Sequence, residues 1–413
     1  MKKISRRRAL LTGTAGVVGA AVAGVAGQSA DQAARAKVPA DPTKVQGPTG
    51  TDVGSRSPFE QPKRVSLNER RTSTQSPLQD LEGIITPADL HFERHHGGVP
   101  AIDPKKYTLL IHGMVDRPLV FTLDDLRRFP GRSVIRFIEC SGNGSRAYRK
   151  DGMSGDLTPQ VIDGLTSTSE WTGVPLATLL REAGASPKAQ WFLAEGSDAA
   201  VLTRSLPIAK AYDDAMIVYA QNGEALRPEQ GYPARLLVPG FEGSTNVKWL
   251  RRIELADEPF MTREETSKYT DPLPDGTSRI FSFVMDAKSL ITEPAFPDRL
   301  SGPGWWEIRG LAWSGRGKIT RVDISTDGGK TWRAAALNDP VLPKCHTRFR
   351  YPWQWDGKEA VLLSRATDET GYVQPTLDVL MAARGPQTQY HYNNIRAWRV
   401  STDGTVKFAG AGA

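Results

Sequence analysis

The sequence predicts an α+β domain followed by a β-sandwich. Between residues 81 and 278, strand-like apolar runs and short helical patterns are mixed without the strict alternation that builds a doubly wound sheet. From Ile280 the pattern changes to short strands separated by turn residues, as in Trp305 to Trp313, Ile319 to Thr326 and Ala360 to Ala366. With 413 residues, 39% hydrophobic and 8% aromatic, the chain is long enough for two domains that each bury a core.

The chain opens with Ser5-Arg6-Arg7-Arg8-Ala9-Leu10 and a mild Ala, Gly and Val run to Ala26. A twin arginine before a weakly apolar stretch is the address of the export route that carries folded proteins, so residues 1–30 are expected to be a twin-arginine signal peptide and the mature protein to be periplasmic. Its glycines make the run a poor anchor, and small residues near Ala26 to Ala30 suit cleavage. Residues 31–80 are rich in Pro, Ser, Thr, Gln and charge, which predicts an extended linker, either a tether or a surface wrap. A strand is predicted at Tyr107 to His112, then a capped helix over Thr122 to Phe129 stopped by Pro130-Gly131. A second helix is predicted over Val174 to Ala183, with Gly184 as its stop. Further strands are expected at Trp191 to Ala194, Ala215 to Ala220 and Arg235 to Val238, with the tail Tyr390 to Val400 returning to the second domain's sheet.

The net charge of +7 suggests nucleic acid only until its position is noted. Lys2, Lys3, Arg6, Arg7 and Arg8 lie in the leader, which holds no acid, and its removal leaves +2. Only Cys140 and Cys345 are present, far apart, which argues against a disulfide framework. No Cys-x-x-Cys-His occurs, so the chain is expected to carry no covalent c-type haem. Adjacent His95 and His96 do not converge on one ion, which argues against zinc, and Gly240 to Gly243 do not form a phosphate loop.

The stretch with chemistry in it is Ile135-Arg136-Phe137-Ile138-Glu139-Cys140-Ser141-Gly142-Asn143-Gly144. Alternation in its first half breaks into small residues in its second, which places Cys140 where a strand enters a loop. A thiolate there, with Gly142 and Gly144 leaving room for a bulky group, suits a soft metal; the bland alternative is a buried structural thiol. In order around it stand Phe92-Glu93-Arg94-His95-His96, Glu195-Gly196-Ser197-Asp198, Gly231-Tyr232-Pro233-Ala234-Arg235, Asn246-Val247-Lys248-Trp249 and Lys268-Tyr269.

This ordered set resembles the sulfite oxidase family of molybdenum enzymes, most nearly its sulfane dehydrogenase branch, over residue 81 to the C-terminus. The resemblance implies a molybdopterin-binding domain at 81–278 and an immunoglobulin-like β-sandwich at 279–413 used for homodimerisation. It implies molybdenum bound to molybdopterin, with Cys140 as the metal ligand. Cofactor contacts are implied at Phe92, Glu93, Arg94, His95, His96, Asp198, Arg235, Asn246, Val247 and Lys248. Arg235 and Lys248 make sense against a phosphate because both are cationic, and a guanidinium is two-pronged. Arg94, Tyr269 and Arg384 are implied to handle substrate: the arginines offset developing negative charge and the Tyr hydroxyl donates a hydrogen bond or a proton.

Two departures bear on substrate. Where sulfite oxidases carry a pair of arginines after Gly-Asn this chain has Gly144-Ser145, and it has Gln230 where they have His; Arg146 or Arg149 are candidates to restore the charge. Fewer cations beside the metal weaken recognition of a small dianion. The expected substrate is therefore sulfane sulfur on a carrier protein's cysteine, with electrons passing to a separate c-type cytochrome. Free sulfite is the alternative substrate, and a methionine sulfoxide reductase relative shares the cysteine motif but is expected to lack the second domain. The alternative from another class is a non-catalytic exported β-rich binding module in which Cys140 is structural.

Overall fold

A computed structural model describes residues 49–148, 154–273 and 275–410. The expected leader and Arg149 lie outside these residues. From Gln61 onward the chain forms one compact unit. No helix among the described residues is long and apolar enough to cross a membrane.

The first half is built on two five-stranded sheets. One runs Leu119–Thr122, Thr108–Gly113, Leu250–Ala256, Trp191–Gly196, Thr203–Pro207, with only the Thr108–Gly113 and Leu250–Ala256 pair parallel. The other runs Glu224–Ala225, Met216–Gln221, Thr166–Pro175, Arg132–Glu139, and Arg235–Leu237 pairs with Met216–Gln221. Leu109, Ile111, Phe192, Ala194, Ile217, Leu236 and Ile253 alternate inward along these strands to fill a shared core, capped by Leu176, Leu179 and Leu180 of the helix Leu176–Glu182. The helix Leu123–Arg128 starts where its capping pattern predicts: Thr122 Oγ accepts from the Asp125 N–H at 3.1 Å, and Asp125 accepts in return from the Thr122 N–H at 3.0 Å. The expected helix at Val174 begins two residues later, because Val174 and Pro175 complete the strand Thr166–Pro175.

The second half is the sandwich that the strand spacing predicts. A four-stranded sheet, Lys288–Glu293, Gly304–Trp313, Thr347–Trp355, Ala336–Asn338, faces a five-stranded one, Arg333–Ala334, Ile319–Ser325, Ala360–Asp368, Ala397–Val400, Val406–Gly410. Leu290, Ile308, Leu311, Trp313, Phe349, Leu362, Trp398 and Phe408 fill the space between them. The same apolar cluster includes Phe137 and Ile162 of the first half, so the two halves share a packed seam.

The stretch expected to be an extended linker up to residue 80 is ordered structure from Val65. Val65–Ser66 pairs with Ser73–Gln75, which pairs with Glu93–Arg94. Ser76 is fully buried, sharing a 2.6 Å hydrogen bond with Ser167, and Leu78 joins the seam. Of the two alternatives, tether and surface wrap, this stretch is the wrap; composition could not decide because a wrap borrows its core from the surface it covers.

Candidate active site

Strand Arg132–Glu139 pairs along its whole length with Thr166–Pro175, from Arg132 opposite Gly173 to Glu139 opposite Thr166. The chain leaves the sheet immediately afterwards. The Cys140 N–H still donates to Leu165 O at 3.0 Å, but the Asn143 N–H turns back onto Cys140 O at 2.9 Å. Asn143 then locks the turn, donating from Nδ2 to Glu139 Oε1 and to Asp163 O, both at 2.9 Å, and accepting from the Leu165 N–H at 3.0 Å. Cys140 therefore sits at the end of a rigid strand inside a turn locked by Asn143, with the buried Ser141 hydroxyl left without a hydrogen-bond partner. Across from it, a Cβ on Gly243 would come within 2.8 Å of Glu139 O, so only glycine lets that segment approach the thiol.

The thiol lies on the wall of a cleft with about 650 Å³ of empty space, part of it open to solvent. Phe92, Arg94, His95, His96, Asp198, Arg235, Asn246, Lys248 and Tyr269 line it together with Cys140. They come from separate stretches of sequence. The backbone lays them together: Asp198 follows strand Trp191–Gly196, Asn246 to Lys248 precede strand Leu250–Ala256, and those two strands are hydrogen-bonded neighbours.

Arg235 and Lys248 on this wall are desolvated cations that carry no ion pair among the described residues. Arg235 is buried, donates to Gln230 O at 3.0 Å and Asn246 O at 2.9 Å, and leaves Nε without a partner. Burial pulls it down to about 9. Lys248 donates to Glu229 O at 2.9 Å. Burial, and then repulsion from Arg235, pull its ammonium down to about 7. Two neighbouring, desolvated cations with an orphaned donor are a site short of negative charge, which a phosphate group supplies. His91 Nε2 and His95 Nδ1 on the same wall are also without hydrogen-bond partners. A long, polar, phosphate-bearing cofactor fits these residues.

Near the sulfur the balance differs. Burial pushes the Cys140 thiol up, opposed by the Gly142 N–H and the charge of Arg94. Burial also pushes the Tyr269 hydroxyl well above its usual range, so it stays a donor. Its ring carries the Arg204 guanidinium on one face at 4.5 Å and lies 5.1 Å from the Tyr390 ring. Arg204 is itself fully matched, bonding Glu265 at 2.7 Å, Glu242 at 2.8 Å, and Ser244.

Three expected site residues are not on the wall. Arg384 is 7% exposed, is paired with Asp271 at 3.2 Å and Asp286 at 3.7 Å, and does not line the cleft. Val247 is fully buried in the first-half core. Glu93 pairs with Arg64 and lies 3.6 Å from His95. Gly144 does not make room for a ligand either. It adopts φ +91°, and a Cβ there would run into Arg396 and come within 2.7 Å of Asp163. Sequence reasoning missed His91, Ser244, Arg204 and Tyr390. His91 adjoins a recognised block, whereas Arg204 carries no local signal because its partners lie 38 and 61 residues away.

Comparison with known proteins agrees with this geometry. Residues 96–264 match the oxidoreductase molybdopterin-binding domain and residues 279–397 the Mo-co oxidoreductase dimerisation domain. Sulfite oxidase of Gallus gallus is 30% identical over 341 residues, 75% of this chain and 73% of that protein. The NADH nitrate reductase of Solanum lycopersicum is 32% identical over 359 residues, 73% of this chain but 38% of that protein, so the chain spans about two fifths of the plant enzyme. The chain belongs to the sulfite oxidase family of molybdopterin oxidoreductases, whose cofactor is molybdenum with molybdopterin. Among solved structures, the sulfane dehydrogenase SoxCD from Paracoccus pantotrophus superposes with a TM-score of 0.85 at 46% identity, covering 89% of this chain and 96% of that one.

Proposed function

We propose that the protein is a molybdenum-dependent dehydrogenase that oxidises sulfane sulfur carried on a partner protein's cysteine and passes two electrons to a separate c-type cytochrome. The bound group supplies an oxygen atom for the substrate sulfur and takes up the electrons. The chain's residues do the rest. Cys140 holds the metal through its thiolate. Arg235 and Lys248 hold the cofactor phosphate. Arg94 would offset negative charge at the substrate, and Tyr269, kept protonated by burial, would offer a hydrogen-bond donor beside the metal site.

One observation carries the choice of sulfane sulfur over sulfite. Arg235 and Lys248 are committed to the cofactor, and Arg204, the guanidinium stacked on Tyr269, is matched by two carboxylates. Among the described residues lining the cleft, that leaves Arg94 as the cation for substrate, which is too little charge for a free dianion. The 46% identity with the sulfane dehydrogenase SoxCD supports the same choice. Steady-state turnover of a thiosulfonated carrier protein with a cytochrome acceptor, and slow turnover of free sulfite at low concentration, are expected. Brisk sulfite turnover with no response to the carrier overturns the reading.

The reading includes export by the twin-arginine route to the periplasm and homodimerisation through the second domain. The first rests on Arg6-Arg7 and the second on the match to the dimerisation domain. Replacing both arginines (R6K/R7K) is expected to leave the protein in the cytoplasmic fraction; unchanged periplasmic yield excludes that route.

A further inference from the structure

Beneath the Cys140 turn lies a buried cluster of charges contributed by both halves of the molecule. Glu139, the residue before the cysteine, is 0% exposed, and so is Asp163; Lys288 and Arg396 are 1% exposed. Lys288 Nζ donates to Glu139 Oε1 at 2.5 Å and to Asn143 O at 3.2 Å, and lies 3.5 Å from Asp163. Trp313 Nε1 donates to the other Glu139 oxygen at 2.7 Å. Arg396 grips Asp163 with two bonds of 2.9 Å. The His391 N–H donates to Ser141 O at 2.8 Å. Glu139, Asn143 and Asp163 belong to the first half, and Lys288, Trp313, His391 and Arg396 to the second.

Stability alone does not account for this arrangement. Burying two ion pairs costs desolvation that Coulomb attraction roughly offsets, and apolar residues of similar volume would do as well. What the cluster does fix is direction. Among the described residues, every side-chain hydrogen bond to Glu139 is made by Lys288, Trp313 or Asn143, and all three constrain the peptide that carries the sulfur. Lys288 bonds the turn at both ends, through the Glu139 side chain and the Asn143 carbonyl. The net charge of Glu139, Asp163, Lys288 and Arg396 is zero, so the turn sits over a neutral but strongly oriented field.

We propose that Lys288 and Trp313, from the second half of the chain, are positioning residues for the Cys140 sulfur, fixing its orientation and the electrostatic field it places on the metal. The domain that serves association is thereby also a supporting shell of the catalytic centre. The proposal rests on Cys140 being the metal ligand.

The test uses matured holoenzyme and the electron paramagnetic resonance of its reduced, one-electron metal state, with reduction potential and thermal midpoint measured alongside. Trp313→Phe removes one donor and keeps the bulk. Lys288→Met removes a charge, and the double variant K288M/E139Q restores neutrality if the single one folds poorly. Trp313→Phe is expected to retain cofactor and shift the resonance parameters. Lys288→Met is expected to shift them further and to lower the potential, because the uncompensated carboxylates disfavour electron uptake. If the variants lose thermal stability while resonance and potential stay at wild-type values, the residues are structural only and the proposal is overturned. Cys140→Ser serves as the control: a resonance unchanged in that variant overturns the ligand assignment itself, a failure distinct from that of the positioning role.

Discussion

Tyr269 and Lys248 show how burial assigns roles to side chains whose sequence context is ordinary. Tyr269 stays protonated because burial desolvates its hydroxyl and the charge of Cys140 disfavours a second anion nearby. Removing that one hydroxyl in Tyr269→Phe is expected to lower kcat about 100-fold, in the range of general acid–base contributions, with cofactor content unchanged. Lys248 titrates near 7 in the cofactor-free protein against an ordinary value of 10.5. Between those two values the unfolded chain binds the proton and the folded one does not, so stability gains with rising pH across that window and the gain is absent below about 7. An anionic phosphate reverses the preference and draws the proton back. Cofactor affinity is therefore expected to fall as pH rises above about 7, by up to about tenfold per pH unit. Affinity measured against pH is expected to lose that slope in Lys248→Arg; a slope unchanged by the substitution assigns it to another group.

At the scale of elements, strand Thr203–Pro207 delivers Arg204 into a closed set of partners: Glu242, Glu265, Ser244 and the Tyr269 ring. Arg204→Leu leaves two buried carboxylates facing each other and is expected to cost about 3–5 kcal/mol in urea unfolding. Because the ring loses its support, turnover in the surviving folded fraction is expected to fall as well. The strand that carries the cysteine was legible in the sequence, since alternation from Ile135 ended at small residues and the structure ends the strand at Glu139. The capped helix after Thr122 was legible for the same local reason. The wrap from Val65 was legible only as one of two alternatives, because its buried face is polar, with Thr74, Gln75 and Ser76 standing where apolar residues would have decided between wrap and tether. The pairing of Arg384 with Asp271 and Asp286 was not legible, because a cation's place in the chain says nothing of carboxylates 113 and 98 residues away.

For the whole molecule, the informative contacts span long separations. Lys288 and Glu139 are 149 residues apart, and Arg396 and Asp163 are 233 apart. No local pattern announces such pairs, whereas the ordered motifs from Phe92 to Tyr269 were readable because each is short and self-contained. In sedimentation, the mature protein is expected at twice the chain mass; a monomer at micromolar concentration contradicts the proposed dimer. Every role assigned around the cleft depends on the bond between Cys140 and the metal. X-ray absorption at the molybdenum edge of matured protein probes that bond without an intermediary. Cys140→Ser is expected to remove one sulfur neighbour from the metal, whereas an identical spectrum in the variant, or fully matured protein without molybdenum, contradicts the assignment.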